Sequence, residues 1–384
     1  MTDQVSMGIT FLVFIVLFIG VGLYSGRRKQ DNTSDYLLAG RGVNPLLTAL
    51  STVATGNSGF MFIGLIGFTY EVGISAIWLT IGHILGDTLA WFTVHRRLRQ
   101  VSEENNTETI SDFLGQGVLG GRWITMISAI LTLAFLGIYA AAQLHAGSKA
   151  LTVVFGWESW IGILFGAVVV GIYCISGGIR ASIWVGAIQA ILMMLSMLLL
   201  CGVAIASTGG FSGLWQNLHD IDPNLTQLAP PAFKFGFWPF AIAWMVSGFG
   251  VVGQPHIMVR AMAIDSPDGV QEARNIYVLF NALFAIAASL IGLTARILLP
   301  DLLTTDAELA LPQLATALLP GILVGMVLVG LFSATISTAD AQILSCSAAL
   351  TQDLFPQAAD STRWAKVGTL SVVGFIVMMA LLLT

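Results

Sequence analysis

Charged side chains are scarce in this 384-residue chain: Asp, Glu, Lys and Arg make up 10% of it, 56% is hydrophobic, and the mean hydropathy is +0.85. That balance excludes a water-soluble globular protein and makes the chain an integral membrane protein whose first partner is the lipid bilayer. Cysteine is nearly absent. Cys174, Cys201 and Cys346 all sit inside apolar runs, so neither a disulfide framework nor a Cys-based metal site is indicated and all three read as packing residues. The net charge of −5, without a basic patch interleaved with aromatics, argues against nucleic acid. Enzymatic signatures are missing as well. Without a G-x-x-x-x-G-K-[ST] phosphate loop the chain cannot drive transport by ATP hydrolysis, and neither H-E-x-x-H nor G-x-S-x-G occurs, so no enzyme activity and no cofactor are expected. The first apolar run follows Asp3 and precedes Arg27, Arg28 and Lys29, the reverse of a signal peptide's charge pattern. It is expected to remain as a helix with its N-terminus outside.

What is present is a series of apolar runs of spanning length, near 6–26, 45–70, 73–94, 122–148, 158–176, 183–206, 236–258, 275–298, 317–347 and 367–384. They predict ten membrane spans in an all-α fold. Threaded this way, Arg27, Arg28, Lys29, Arg41, Arg96, Arg97, Arg99, Arg122, Arg180, Arg260, Arg274, Arg363 and Lys366 fall in inside loops, 13 of the 16 basic residues. Lys149, Lys234 and Arg296 fall outside. Positive charge gathers in cytoplasmic loops, so the count supports a multi-pass protein of the cell membrane with an external N-terminus. Between spans, Thr109 or Ser111 can cap a short interfacial helix within 105–117, and 210–218 offers another outside. The last run reaches Thr384 with no flanking polar residue, which suggests a truncated chain.

Two of these runs are poor helices at their centres. In the second, Thr55, Gly56, Asn57, Ser58 and Gly59 stand in a row between Leu, Val, Ile, Phe and Met. A continuous helix over 45–70 would be about 39 Å long against a hydrocarbon core of about 30 Å, so an unwound turn is expected near the mid-membrane. Exposed backbone at that depth persists only where protein covers it or a polar cavity receives it, which marks the turn as a solute or ion site. The plainer alternative is a close helix–helix contact through small residues. In the seventh run, Gly248, Gly250 and Gly253 precede Pro255, which should free the carbonyls from Ser247 to Val251. The two interrupted runs lie five spans apart and run in opposite directions. Such a pair points to an inverted-repeat transporter with its site at the repeat interface.

Other spans carry buried polar groups. Ser333, Thr335, Ser337, Thr338 and Asp340 crowd the ninth run, where adjacent Ser337 and Thr338 can offer two hard oxygens to an alkali cation or simply back-bond to the preceding turn. Asp340, as an intramembrane carboxylate, requires a partner or a protonation role. His83 and Asp87 are four apart on one face, read as a mutually satisfied pair or else a proton relay. Tyr139 and Gln143 share a helical face that can reach a central cavity.

Four blocks then carry a family resemblance: DYLLAGR (Asp35 to Arg41), GGIRASIW with Gln189, GQPHIMVRAMA (Gly253 to Ala263), and STADAQIL with ALTQDLF (Ser337 to Phe355). In order and spacing, across nearly the whole chain, they resemble the sodium/solute symporter family, nearest to its sodium/proline branch. The resemblance implies a five-plus-five inverted-repeat core after one leading helix, with residues 1–44 leading, 45–206 as the first repeat and 236–384 as an incomplete second, all in one transmembrane domain. It implies sodium held by the carbonyls of Ala54, Asn57 and Ala334 and the hydroxyls of Ser337 and Thr338. It places substrate at Ser58, Gly59, Tyr139, Gln143, Ser247, Val251 and Pro255, and leaves His83, Asp87 and Asp340 for proton or gating roles. The chain departs from the proline branch at Gly56 and Gly186, where that branch has carboxylates, and at Ser247 and Val251, where it has aromatics. Loss of the second carboxylate implies at most one sodium.

The reading is a sodium-coupled symporter importing a small polar organic solute, an amino acid such as proline or a carboxylate. The alternatives are the transporter-like sensory module of a membrane histidine kinase, and a proton-coupled carrier using Asp87 with His83, or Asp340.

Overall fold

The computed structural model describes residues 2–27, 30, 32–229, 235–358 and 361–382; Arg28, Lys29, Lys234 and Thr384 of the sequence expectations lie outside the described residues. Helices account for nearly all of the order, and among the described residues the only β-pairing is the isolated bridge between Val43 and Ile264. Helix is what the composition demands, because in hydrocarbon each backbone N–H and C=O must find its partner inside its own segment.

The main helices in chain order are α1 (Thr2–Gly26), α2 (Pro45–Gly59), α3 (Leu65–Val72), α4 (Ile77–Leu89), α5 (Gly121–Phe155), α6 (Ser159–Ser207), α7 (Phe237–Phe249), α8 (Pro255–Ala263), α9 (Gly269–Leu298), α10 (Gly321–Ala348) and α11 (Thr362–Leu382). The two short helices expected between spans are present as Ile110–Gly115, whose cap is Thr109 accepting from the Asp112 N–H, and Gly210–Ile221. Among the described residues seven helical stretches are long and apolar enough to cross a membrane, or eight when the bent pair α7–α8 is taken as one. Two of them exceed any single crossing. Pro45–Glu104 has 60 residues and Ser159–Ser207 has 49, about 90 and 74 Å of helix against a core of about 30 Å.

Glycine turns the chain inside both. Gly73 has φ 71° and Gly178 φ 55°, and neither position has room for a side chain. A Cβ on Gly73 would collide with the Leu225 carbonyl oxygen, and one on Gly178 would collide with that of Tyr36.

The buried centre is α10. In its most apolar stretch 83% of residues are buried, against 22% in α1, so α10 is an axis and α1 a lipid-facing flank. Helices α1, α2, α5 and α6 pack around α10, and α2 also lies on α6 and α9. Helix α7 packs on α4 through backbone contact, since a Cβ on Gly86 would overlap the Gly248 oxygen.

The conspicuous sequence blocks serve as ties at the helix ends. Asp35 of DYLLAGR pairs with Arg180 of GGIRASIW, and Arg180 also donates to the Ala39 carbonyl at 2.8 Å. Arg41 donates to the carbonyls of Thr107 (2.6 Å) and Ser102 (3.0 Å), and burial, then the neighbouring Arg99, lowers its guanidinium pKa from the ordinary value. The Val43–Ile264 bridge, with Val43 N–H to Ala263 O at 3.1 Å and Asp265 N–H to Val43 O at 2.9 Å, fastens the start of α2 to the end of α8.

Gly178→Ala is expected to destabilise the protein by roughly 2–4 kcal/mol, from the left-handed backbone and overpacking together. Gly171→Ala, where a Cβ meets nothing within 4 Å, is the control and should leave the thermal unfolding midpoint of the detergent-solubilised protein unchanged.

Candidate functional site

The first break is narrower than the sequence suggests. Helix α2 keeps its winding through Asn57, and only Ser58 leaves it, at φ 46° and ψ −179°, before a π-helical turn at Phe60–Gly64. The expected unwound turn is confined to this one residue, and the polar side chains before it are held: the Asn57 amide donates to the Val53 carbonyl at 2.8 Å, and the Thr55 hydroxyl donates to the Ser337 carbonyl at 3.3 Å. The Ser58 conformation is one that side chains avoid, at a cost of about 1–3 kcal/mol, and such strain gathers at functional sites. Three hydrogen bonds hold it. The Tyr139 hydroxyl donates to Ser58 Oγ at 3.2 Å, the Phe60 N–H donates to the same oxygen at 3.1 Å, and the Gly59 N–H donates to Gln143 Oε1 at 2.9 Å. Ser58, Gly59, Tyr139 and Gln143 therefore form one cluster between α2 and α5.

Beside it runs a seam between α2 and α10. The Ser337 hydroxyl donates to the Ala54 carbonyl at 2.9 Å and touches its own Ala334 carbonyl at 3.2 Å. The Thr338 hydroxyl does the same with Thr55 O (2.9 Å) and Ala334 O (3.0 Å). Both hydroxyls thus back-bond and cross the interface at once, and all five residues are buried. Ala54, Ala334, Ser337 and Thr338 come together as one oxygen set. The Thr55 carbonyl belongs to it too, although only the helix contact reveals this. The Asn57 carbonyl accepts from the Phe60 N–H, and Asn57 Oδ1 is buried with no partner among the described residues. Among the same residues Ser333 Oγ has no partner, and Thr335 back-bonds to Phe332.

At the second break the carbonyls of Ser247, Gly248 and Val251 are occupied, contrary to the sequence expectation that they are freed. A 3₁₀ turn at Gly250–Gly253 returns the Gly250 N–H to the carbonyls of Ser247 and Gly248, and the Gln254 N–H donates to Val251 O at 3.2 Å. The chain then bends by 48° at extended Gln254, and Pro255 opens α8 in the first-turn position where its missing N–H costs nothing. The Tyr139 ring meets the His256 ring edge-on at 6.2 Å, which brings the first turn of α8 to the Ser58 cluster. Ser247 and Val251 do not join it: the Ser247 hydroxyl is exposed and back-bonds to Trp244 O at 2.9 Å.

The charged residues find partners that sequence spacing does not show. His83 and Asp87 are not a pair. Asp87 Oδ2 accepts from the Tyr277 hydroxyl at 2.9 Å and from the Asn281 amide at 2.8 Å, both on α9, while His83 stacks on Phe60 with centroids 6.0 Å apart. Helical spacing put the two on one face, but α9 brings better donors to the carboxylate. Asp340 accepts from Ser182 (2.5 Å) and Tyr173 (2.6 Å) and lies 3.7 Å from Arg260. Arg260, expected in an inside loop, is fully buried in α8, where it donates to Ser51, Ser182 and the His256 carbonyl. A visible signal existed, since Arg260 falls one helical turn after His256 in a run that Pro255 starts.

These contacts also bear on Gly56 and Gly186, the two positions where the sequence resemblance implies carboxylates in the proline branch. A Cβ on Gly56 would lie 3.1 Å from the Tyr277 hydroxyl that binds Asp87, and one on Gly186 would lie 3.2 Å from the Ser51 hydroxyl that binds Arg260. Each glycine therefore stands one residue away from a network that contains a carboxylate.

Comparison with known proteins agrees with this architecture. The sodium/proline symporter of Escherichia coli (strain K12) is 32% identical over 363 residues, 92% of this chain and 71% of the relative. That of Staphylococcus aureus (strain JH9) is 30% identical over 354 residues, 90% of this chain and 68% of the relative. A solved structure of a Na+-coupled sialic acid symporter, in a substrate-bound outward-open state, shares the fold with a TM-score of 0.86 at 18% identity, covering 98% of this chain and 82% of that one. The model of the sodium:solute symporter family matches residues 36–384, and the chain belongs to that family of sodium-coupled transporters.

Proposed function

We propose that the protein is a secondary active symporter that imports a small polar organic solute, an amino acid such as proline or a carboxylate, by sodium-coupled alternating access in the cell membrane. The observation that carries the reading is the α2–α10 seam. Its oxygens are hard donors suited to an alkali cation, and they come from two helices that an ion would join. In this reading the carbonyls of Ala54, Asn57 and Ala334 and the hydroxyls of Ser337 and Thr338 hold sodium. Each hydroxyl has lone pairs to turn to the ion while its hydrogen serves a carbonyl. Solute binds next to the strained Ser58, with Gly59, Tyr139 and Gln143 on one side and the turn at Pro255 on the other.

The architecture in this reading is the ten-span inverted repeat. Dividing the two overlong stretches at Gly73 and Gly178 adds one crossing each and raises the eight to ten. Helices α2 and α7–α8 then become the corresponding broken helices of units 45–206 and 236–384 behind the leading segment 1–44, with the N-terminus outside. One sodium is energetically sufficient. Entry of one charge down 100 mV releases about 2.3 kcal/mol, a tenfold sodium gradient adds about 1.4 kcal/mol, and together they sustain a solute gradient of a few hundredfold.

Two outcomes test the reading in proteoliposomes. Ser337→Ala with Thr338→Ala should raise the sodium concentration for half-maximal uptake by at least about tenfold, from the loss of two ligand oxygens; uptake indifferent to sodium removal overturns the reading. Gln143→Leu, which strips the Gly59 N–H of its acceptor, should raise the half-saturating solute concentration by about tenfold while the sodium dependence stays near that of the unmodified protein.

A further inference from the structure

Asp87 is a carboxylate with no cation beside it. It is 7% exposed, its described partners Tyr277 and Asn281 are both neutral, and no ion pair among the described residues includes it. A charge so buried is costly unless an opposite charge arrives or the group takes up a proton. Its place in the fold is at both breaks: Gly86, its chain neighbour, touches the Gly248 backbone of α7, and its partner Tyr277 faces Gly56 of α2. Gly56 is exposed although Thr55 and Asn57 on either side are buried. The missing side chain leaves an exposed floor on α2 on which the nearest polar atom from another helix is the Tyr277 hydroxyl, 3.1 Å from where a Cβ would stand.

We infer that this floor receives the positively charged nitrogen of the transported solute, with Tyr277 touching it and Asp87 supplying the charge. The inference rests on the symporter reading and narrows its substrate class to amine-bearing solutes. Tyr277 is suited to the relay because its hydroxyl donates to Asp87 and keeps lone pairs free to accept from an ammonium N–H. Arg260 does not compete for the carboxylate, because Asp340, Ser51, Ser182 and the His256 carbonyl engage it.

The test uses the full chain in lipid nanodiscs and pairs of probes that differ only by the amine: L-proline with cyclopentanecarboxylate, and L-alanine with propionate. Thermal stabilisation is titrated with each in sodium chloride and in potassium chloride. The amine-bearing member of at least one pair should bind at least about tenfold more tightly than its partner, and Asp87→Asn should remove that difference by weakening the amine-bearing member alone. Tyr277→Phe keeps the carboxylate and should weaken it about threefold; it also decides the matter if Asp87→Asn does not fold. Amine-bearing probes that fail to bind, discrimination that survives Asp87→Asn, or amine affinity unchanged by Tyr277→Phe overturns the inference. Discrimination that appears equally in potassium supports the amine site and sinks sodium coupling, so the two failures are distinguishable.

Discussion

The hydroxyls of Ser337 and Thr338 reaching across to the carbonyls of Ala54 and Thr55 are the contact on which the rest of the arrangement depends. A helix that breaks in hydrocarbon exposes polar backbone, and neighbouring protein must cover it. Helix α10 covers α2 with side-chain oxygens rather than with apolar surface. The break at Ser58 is then held from the other side by Tyr139 and Gln143 of α5. The oxygens that close the seam are the sodium ligands of the proposed reading, in which stability and ion binding would draw on one set of atoms.

Small residues make this possible by letting backbones approach. Gly82 and Gly86 bring α4 against α7, where a Cβ on either would collide with the carbonyls of Trp244 or Gly248. Gly73 and Gly178 do different work, turning the chain through positive φ where L side chains are disfavoured. Gly56 belongs to neither class. It is helical, and a Cβ there would crowd the Tyr277 hydroxyl at 3.1 Å.

Much of this was legible in the sequence and some was not, for identifiable reasons. That the chain is built of long apolar helices was legible because hydrocarbon requires them, and the oxygen set at Ala54, Ala334, Ser337 and Thr338 was legible through the family motifs. The extent of each break was not. Proline and glycine show that a helix is weakened, but whether carbonyls are left free depends on local turns, as the 3₁₀ turn at Gly250–Gly253 demonstrates. The partners of Asp87 were hidden for another reason: Tyr277 and Asn281 are 190 and 194 residues away, and only packing of α9 on α4 brings them to it.

The sequence by itself determined an all-helical membrane protein, the number and order of its apolar runs, and the two places where helices weaken, because each follows from local composition and the thickness of a bilayer. Tertiary structure alone decided which charges meet. Asp340 with Arg260, and Asp87 with Tyr277 and Asn281, are pairings across helices, and in a medium that cannot solvate a charge the partner brought by packing determines what that charge can do.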